Sequence, residues 1–212
     1  MRRLLLPGCL SRFVPIRPDG SVRIGGEANY TEITAAGVVI LHGTARVTKD
    51  IDLALAGFGK GAAAPDTVYL GNYMGYEFKI NDIAYYCFEV PYDWDESADL
   101  DIELHWYINE AYALQSGEVR WNIFYTACKE DGSEAVDGAT ATLDSGDINI
   151  HATAKRLVQT KLTIPAAALA HDDVVGLQIK RVALVGGTDP TAVPTLVGGL
   201  LEYIAHTVGE AL

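Results

Sequence analysis

Residues 99–109 alternate without a break. Leu100, Ile102, Leu104, Trp106 and Ile108 fall on one side, and Asp101, Glu103, His105, Tyr107 and Asn109 on the other. A period of two is the pattern of a half-buried β-strand, and no helix can gather those apolar residues on one face. Once one strand must bury a whole face, the chain needs a second apolar layer to cover it. That second layer is legible as well. Val119, Trp121, Ile123, Tyr125 and Ala127 repeat the alternation between Gly117 and the turn cluster Lys129–Gly132. Val158, Leu162 and Ile164 mark a strand ended by Pro165. Val175, Leu177 and Ile179 start a long strand running to Val185, whose Lys180–Arg181 pair breaks the pattern and predicts a bulge. Gly198–Val208 closes the series with Leu201, Tyr203 and Ala205 on one face.

Shorter runs at Val68–Leu70, Glu77–Ile80, Ala84–Val90 and Ala139–Leu143 bring the expectation to eight to ten strands, separated by Gly, Asp, Asn and Pro turns. Pro165–Ala170 is long enough for one or two helical turns. The predicted fold is all-β, a jelly-roll-like β-sandwich over residues 66–212. Ahead of it, Val38–Leu41 and Thr44–Val47 flank His42–Gly43 as a small hairpin, and Gly57–Pro65 reads as a loop. Residues 31–65 are therefore predicted as a hairpin and a Gly/Ala-rich linker.

Residues 1–30 are predicted as an extended basic arm. Pro7, Pro15 and Pro18 disfavour regular structure. Met1–Cys9 has the outline of a lipoprotein leader, but three leucines are too short an apolar core, so no cleavage is expected. Five arginines stand against one aspartate in residues 1–24, whereas the remainder holds 11 basic and 27 acidic residues. A basic arm on an acidic body predicts docking on an acidic partner. Arg2, Arg3, Leu4, Leu5, Leu6, Arg12, Phe13 and Arg17 are its candidate partner-binding residues. The overall charge of −12 argues against nucleic-acid binding, which needs a basic surface to neutralise phosphate. No apolar run reaches 18 residues, so no membrane span is expected.

Catalytic chemistry finds no footing. Gly57, Gly59 and Gly61 lack the Gly-Lys-Ser/Thr and the helix that a phosphate cradle requires. The stretch Asp93, Asp95, Glu96, Asp99, Asp101 and Glu103 lacks the mid-loop glycine of a calcium loop. Nothing marks one of its carboxyls as the buried acid of a glycosidase pair. The five histidines form no His-x-x-x-His, and Cys9, Cys87 and Cys128 no Cys-x-x-Cys, so no zinc site is expected. Ser116 and Ser145 sit outside any Gly-x-Ser-x-Gly setting. The chain is predicted to be no enzyme, with no catalytic residue, metal or cofactor. Aromatic residues are denser between 69 and 107 than one core needs, and Tyr73, Tyr76, Tyr92 and Trp94 are the candidate interface residues.

The run Phe88-Glu89-Val90-Pro91-Tyr92-Asp93-Trp94-Asp95-Glu96-Ser97-Ala98-Asp99-Leu100, leading to His105-Trp106, resembles a pattern in tailed-bacteriophage virion proteins. Asn29-Tyr30-Thr31, Gly43–Asp50, Arg120-Trp121 and Leu200–His206 are similar to the same group. The resemblance implies a structural virion component of jelly-roll type, most simply a head decoration (cement) protein bound to the major capsid protein. It implies a capsid-surface location after assembly in the reducing host cytoplasm, which suits the absence of a disulfide framework. A neck or tail fibre and a carbohydrate-binding β-sandwich module are the alternatives. By analogy with decoration proteins a homotrimer is expected, then a dimer.

Overall fold

The computed structural model describes residues 16–43, 46–112 and 117–208, the last two by backbone alone. They form two compact units, one from residues before 48 together with residues from 205 onward, the other from residues 48–204.

The larger unit is built on eight strands: β7 (Tyr73–Glu77), β8 (Ile83–Glu89), β9 (Leu100–Tyr107), β10 (Glu118–Lys129), β11 (Ala141–Asn149), β12 (Val158–Ile164), β13 (Asp173–Val182) and β14 (Thr195–Ala205). Their antiparallel pairings are nested. β10 pairs with β11, β9 with β12, β8 with β13 and β7 with β14. This is one long antiparallel hairpin rolled up, and the rolling is closed by β10 against β13 and β9 against β14. The result is two stacked sheets in a jelly roll, of order β11-β10-β13-β8 and β12-β9-β14-β7. Further strands extend it: β4 (Val47–Ala54) on β14, β5 (Gly59–Lys60) beyond β8, and β6 (Asp66–Leu70) beyond β7.

The alternating residues meet between the sheets. Leu100, Ile102, Leu104, Trp106 and Ile108 are buried, as expected from their period, and so are Val119, Trp121, Ile123, Leu162, Ile164, Val175, Leu177, Ile179, Leu201, Tyr203 and Ala205. Trp121 of one sheet lies 6.1 Å from Trp106 of the other and edge-on to Phe78 at 5.3 Å. Trp106 Nε1 donates to Thr160 Oγ1 at 2.8 Å, so that indole is buried with its polar atom satisfied.

Several expectations are corrected. β13 runs in unbroken register with β10 through Lys180 and Arg181 and ends at Val182, so the expected bulge is absent there. Arg181 instead takes an inward position and is buried. Its Nη1 donates to Phe78 O (3.2 Å) and its Nη2 to Asp189 Oδ1 (2.9 Å), while its buried Nε has no acceptor among the described residues; those two bonds let a charged residue keep the apolar beat of the strand. The register shifts fall at Arg120/Asn122 in β10 and Leu196/Gly198 in β14. The sandwich also starts earlier than residue 66, because β4 and β5 belong to it. Pro165–Ala170 shrinks to one 3-10 turn, Ala166–Ala168.

The smaller unit is a four-stranded antiparallel sheet: β1 (Val22–Gly25), β2 (Tyr30–Ile33), β3 (Val39–His42) and β15 (Thr207–Val208), in that order. This corrects the described part of the arm, residues 16–30, and the hairpin; residues 1–15 of the arm lie outside the described residues. Asp19 accepts the Ser21 amide at 2.9 Å, and Gly20 at φ +85° turns the chain back, so residues 16–25 pair instead of extending. Val39–His42 forms its hairpin with Tyr30–Ile33 through a turn in which Val38 N donates to Thr34 Oγ1. Val47 opens β4, which pairs with β14 instead of β3.

Candidate functional site

The predicted site residues scatter over different surfaces. Arg2, Arg3, Leu4, Leu5, Leu6, Arg12 and Phe13 lie outside the described residues. Arg17 is spent within the small sheet, its Nη1 3.4 Å from Glu32 Oε1, while His42 Nε2 reaches the other oxygen of Glu32 at 3.1 Å. Among the proposed interface aromatics, Trp94 is 0 % exposed. It plugs the corner between β8 and β9: its amide donates to Pro91 O and its Nε1 to Ala98 O at 2.9 Å. An indole held in this way is core, and it is withdrawn as an interface residue.

The same corner absorbs most of the acidic stretch. Asp93 accepts Tyr203 Oη at 3.1 Å and pairs with Lys49. Burial and the neighbouring Asp93 charge push the Tyr203 hydroxyl well above the ordinary tyrosine range. Asp95 N donates to Ile204 O, and Asp99 accepts the Ala166 amide at 2.9 Å. Asp101 and Glu103 turn to the outer face of β9, where Lys161 lies within 3.3 Å of both and 2.6 Å from Glu202. These carboxylates hold Lys161 protonated, above its ordinary range. Among the described residues no three His, Cys, Asp or Glu side chains converge on a metal position. The motif that carries the virion resemblance is thus a structural corner.

A second carboxylate latch fastens the β10–β11 hairpin. Asp147 accepts the amides of Gly186 (2.8 Å) and Val185 and pairs with Arg120 at 3.0 Å. The Gly186 amide first, then Arg120, holds its carboxyl below the ordinary value of 3.8. A depressed folded value means that the latch stabilises above that ordinary value and is lost as pH falls through the lower one. Hydrogen-exchange protection of the Val185 and Gly186 amides should therefore be full at pH 6 and fall below about pH 4, where carboxylates protonate. In Asp147→Asn it should be weak at both. Equal protection of these amides in the wild type and in Asp147→Asn at pH 6 would dismiss the latch.

Two of the four exposed tyrosines among the described residues, Tyr69 and Tyr73, share one sheet edge. β6 is the outermost strand and forms a hairpin with β7. On it Tyr69 is 75 % and Tyr73 66 % exposed, and Met74, the cross-strand partner of Tyr69, is exposed too. Soluble proteins blunt edge strands with charge or cover, because their free N–H and C=O groups invite pairing. Here the only ion pair on the hairpin, Asp66 with Lys79 at 2.8 Å, sits at its far end. Tyr76 is half-buried, its ring under Lys60 at 4.7 Å, and Tyr92 is exposed on the loop after β8. The expected aromatic face is therefore one tyrosine-bearing edge, with Tyr73 on it. Tyr69 and Tyr85 belong to the aromatic cluster legible between residues 69 and 107, but their exposure, like that of Met74, depends on the strands around them.

No protein-family model matches the chain, and no curated protein matches it in sequence. Solved structures are similar to it only at a low level. The CBM36-1 domain of a multidomain xylanase from the hindgut metagenome of Trinervitermes trinervoides is 12% identical, with a TM-score of 0.35 over 78% of this chain and 100% of that one. The Gx strain of infectious bursal disease virus gives 12% identity and a TM-score of 0.38 over 89% of this chain. The VP2 subviral particle of that virus gives 13% and 0.31 over 86%. The chain spans less than half of the viral chains, 42% and 46% of their lengths.

Proposed function

We propose that this chain is a non-enzymatic structural protein of a tailed-phage virion, a decoration protein seated on the major capsid protein and self-associating, most simply as a trimer. The observation that carries this reading is the β6–β7 edge: an outermost hairpin bearing Tyr69, Tyr73 and Met74 in the open, on a sandwich in which Asp93, Trp94 and Asp99 are consumed in holding its own corner. Tyrosine is a residue that subunit interfaces enrich, and an edge hairpin supplies both its ring faces and unpaired backbone groups. The likeness of Phe88–Leu100 to virion proteins supports the setting. The acidic surface keeps a densely displayed protein soluble by like-charge repulsion.

Quantifying the chain in purified virions tests the assignment. Hundreds of copies on the head are expected. A few dozen or fewer, confined to neck or tail, would make it a fibre, and absence from virions would end the structural reading. In light scattering at micromolar concentration, Tyr69→Ser with Tyr73→Ser should shift the oligomer toward monomer while the melting transition of the body stays cooperative.

A further inference from the structure

The outer face of the β8, β13 and β10 sheet holds a depression. Register places Tyr85, Gln178 and Phe124 side by side on these three strands, and Gln178 Nε2 donates to Tyr85 Oη at 3.3 Å. The next row along contains Gly176 between Cys87 and Thr126, so the floor there has no side chain. Thr126 Oγ1 and Thr140 Oγ1 are 3.1 Å apart at one wall, and Val136, strongly exposed, stands above it. The trench between them measures about 380 Å³, within the roughly 300–1,000 Å³ of small-molecule sites.

Every residue lining this trench is uncharged, on a chain with 44 acidic and basic residues. By contrast, a depression of about 430 Å³ elsewhere on the same sandwich is lined by Lys129, Glu130, Asp131, His171 and Asp172. The outer face of the other sheet carries the Lys161 cluster with its three carboxylates. Two aromatic side chains on either side of Gln178, in the row beside the bare floor at Gly176, with that amide and two threonine hydroxyls at hand, match a ligand that has an apolar C–H face and neutral hydroxyl edges. We propose that this trench binds a neutral pyranose, with Tyr85 and Phe124 as stacking faces and Gln178, Thr126 and Thr140 as hydrogen-bonding partners. An acidic sugar finds no cation in the trench and meets a protein of net charge −12. The assignment does not rest on the virion reading and adds to it a sugar-adhesive surface.

The test is calorimetric titration of the full chain with lactose, maltose, mannobiose and N,N′-diacetylchitobiose, and with sialyllactose and digalacturonate as acidic counterparts. Binding of at least one neutral disaccharide is expected, at least tenfold tighter than any acidic probe. Tyr85→Ala should weaken it at least tenfold. Gly176→Val should abolish it without unfolding the protein, since a Cβ at Gly176 comes no closer than 3.9 Å to its nearest neighbour, Thr126 O. Leu157→Ala, at an exposed position outside the trench, should leave it unchanged. The proposal falls if no neutral probe binds, if acidic probes bind equally well, or if binding survives Gly176→Val. It also falls if Tyr85→Ala alters the oligomeric state instead, since the trench would then be a subunit contact. Virion copy number is unmoved by any of these outcomes, so the two readings fail separately.

Discussion

Trp121→Ala should remove most of the stability of the sandwich and leave a broad, non-cooperative melt, whereas Trp121→Phe should unfold cooperatively. Trp121 is wholly buried and touches both layers, edge-on to Phe78 and tilted against Trp106. Truncating a buried tryptophan to alanine costs about 3–5 kcal/mol, because the lost transfer energy is joined by the cavity left behind. Each lost aromatic pair adds roughly 0.5–1.5 kcal/mol. Against a typical total of about 5–15 kcal/mol, that is most of what holds such a domain together. Phenylalanine keeps one ring at the site. It also removes an indole N–H that is buried with no acceptor among the described residues, a donor whose burial costs on the order of 1–3 kcal/mol. Urea denaturation measures both variants. A Trp121→Ala midpoint close to wild type would mean that the two sheets do not depend on this contact.

Gly199→Ala should be strongly damaging, and Gly176→Ala nearly silent. Both glycines lie inside long strands, β14 and β13. A Cβ on Gly199 would stand 2.4 Å from Glu103 O, a backbone atom of the neighbouring strand β9, with Leu53 Cβ of β4 behind it at 3.7 Å. Relief requires β14 and β9 to part next to the register shift at Leu196/Gly198, where Gly198 already holds φ +148°. Overpacking of this kind costs typically about 1–3 kcal/mol, and more here because backbone cannot rotate away. At Gly176 the same methyl enters the open trench. It should be neutral or stabilise by up to about 1 kcal/mol, the entropy that glycine forfeits in a strand. Paired thermal melts decide it, and equal midpoints for the two variants would contradict the packing described.

The sequence by itself determined the long strands of the sandwich and which of their faces turn inward. Leu100 to Ile108, Val119 to Tyr125 and Leu201 to Ala205 alternate with period two, and a period is a local property that a buried face imposes on any strand. The class followed as well, since many short alternating runs between turns close most simply as a sandwich. What only the tertiary structure decided is everything that depends on which strand lies next to which. The nested pairing of β7 to β14 joins segments far apart in the chain, and no local pattern encodes a partner. The approach of β14 to β9 separates the crowded Gly199 from the open Gly176. Arg181 reads as a broken alternation until Phe78 O and Asp189 are seen to accept its two bonds. Trp94 reads as a surface aromatic until the corner closes over it. The candidate sites divide in the same way. Tyr73 was legible as an exposed aromatic, but the edge that makes it useful arises from β6 being outermost. The trench unites Tyr85, Phe124 and Gln178 across 93 residues of chain, because hydrogen-bond register, which is set by the packing of the whole roll, puts them in one row.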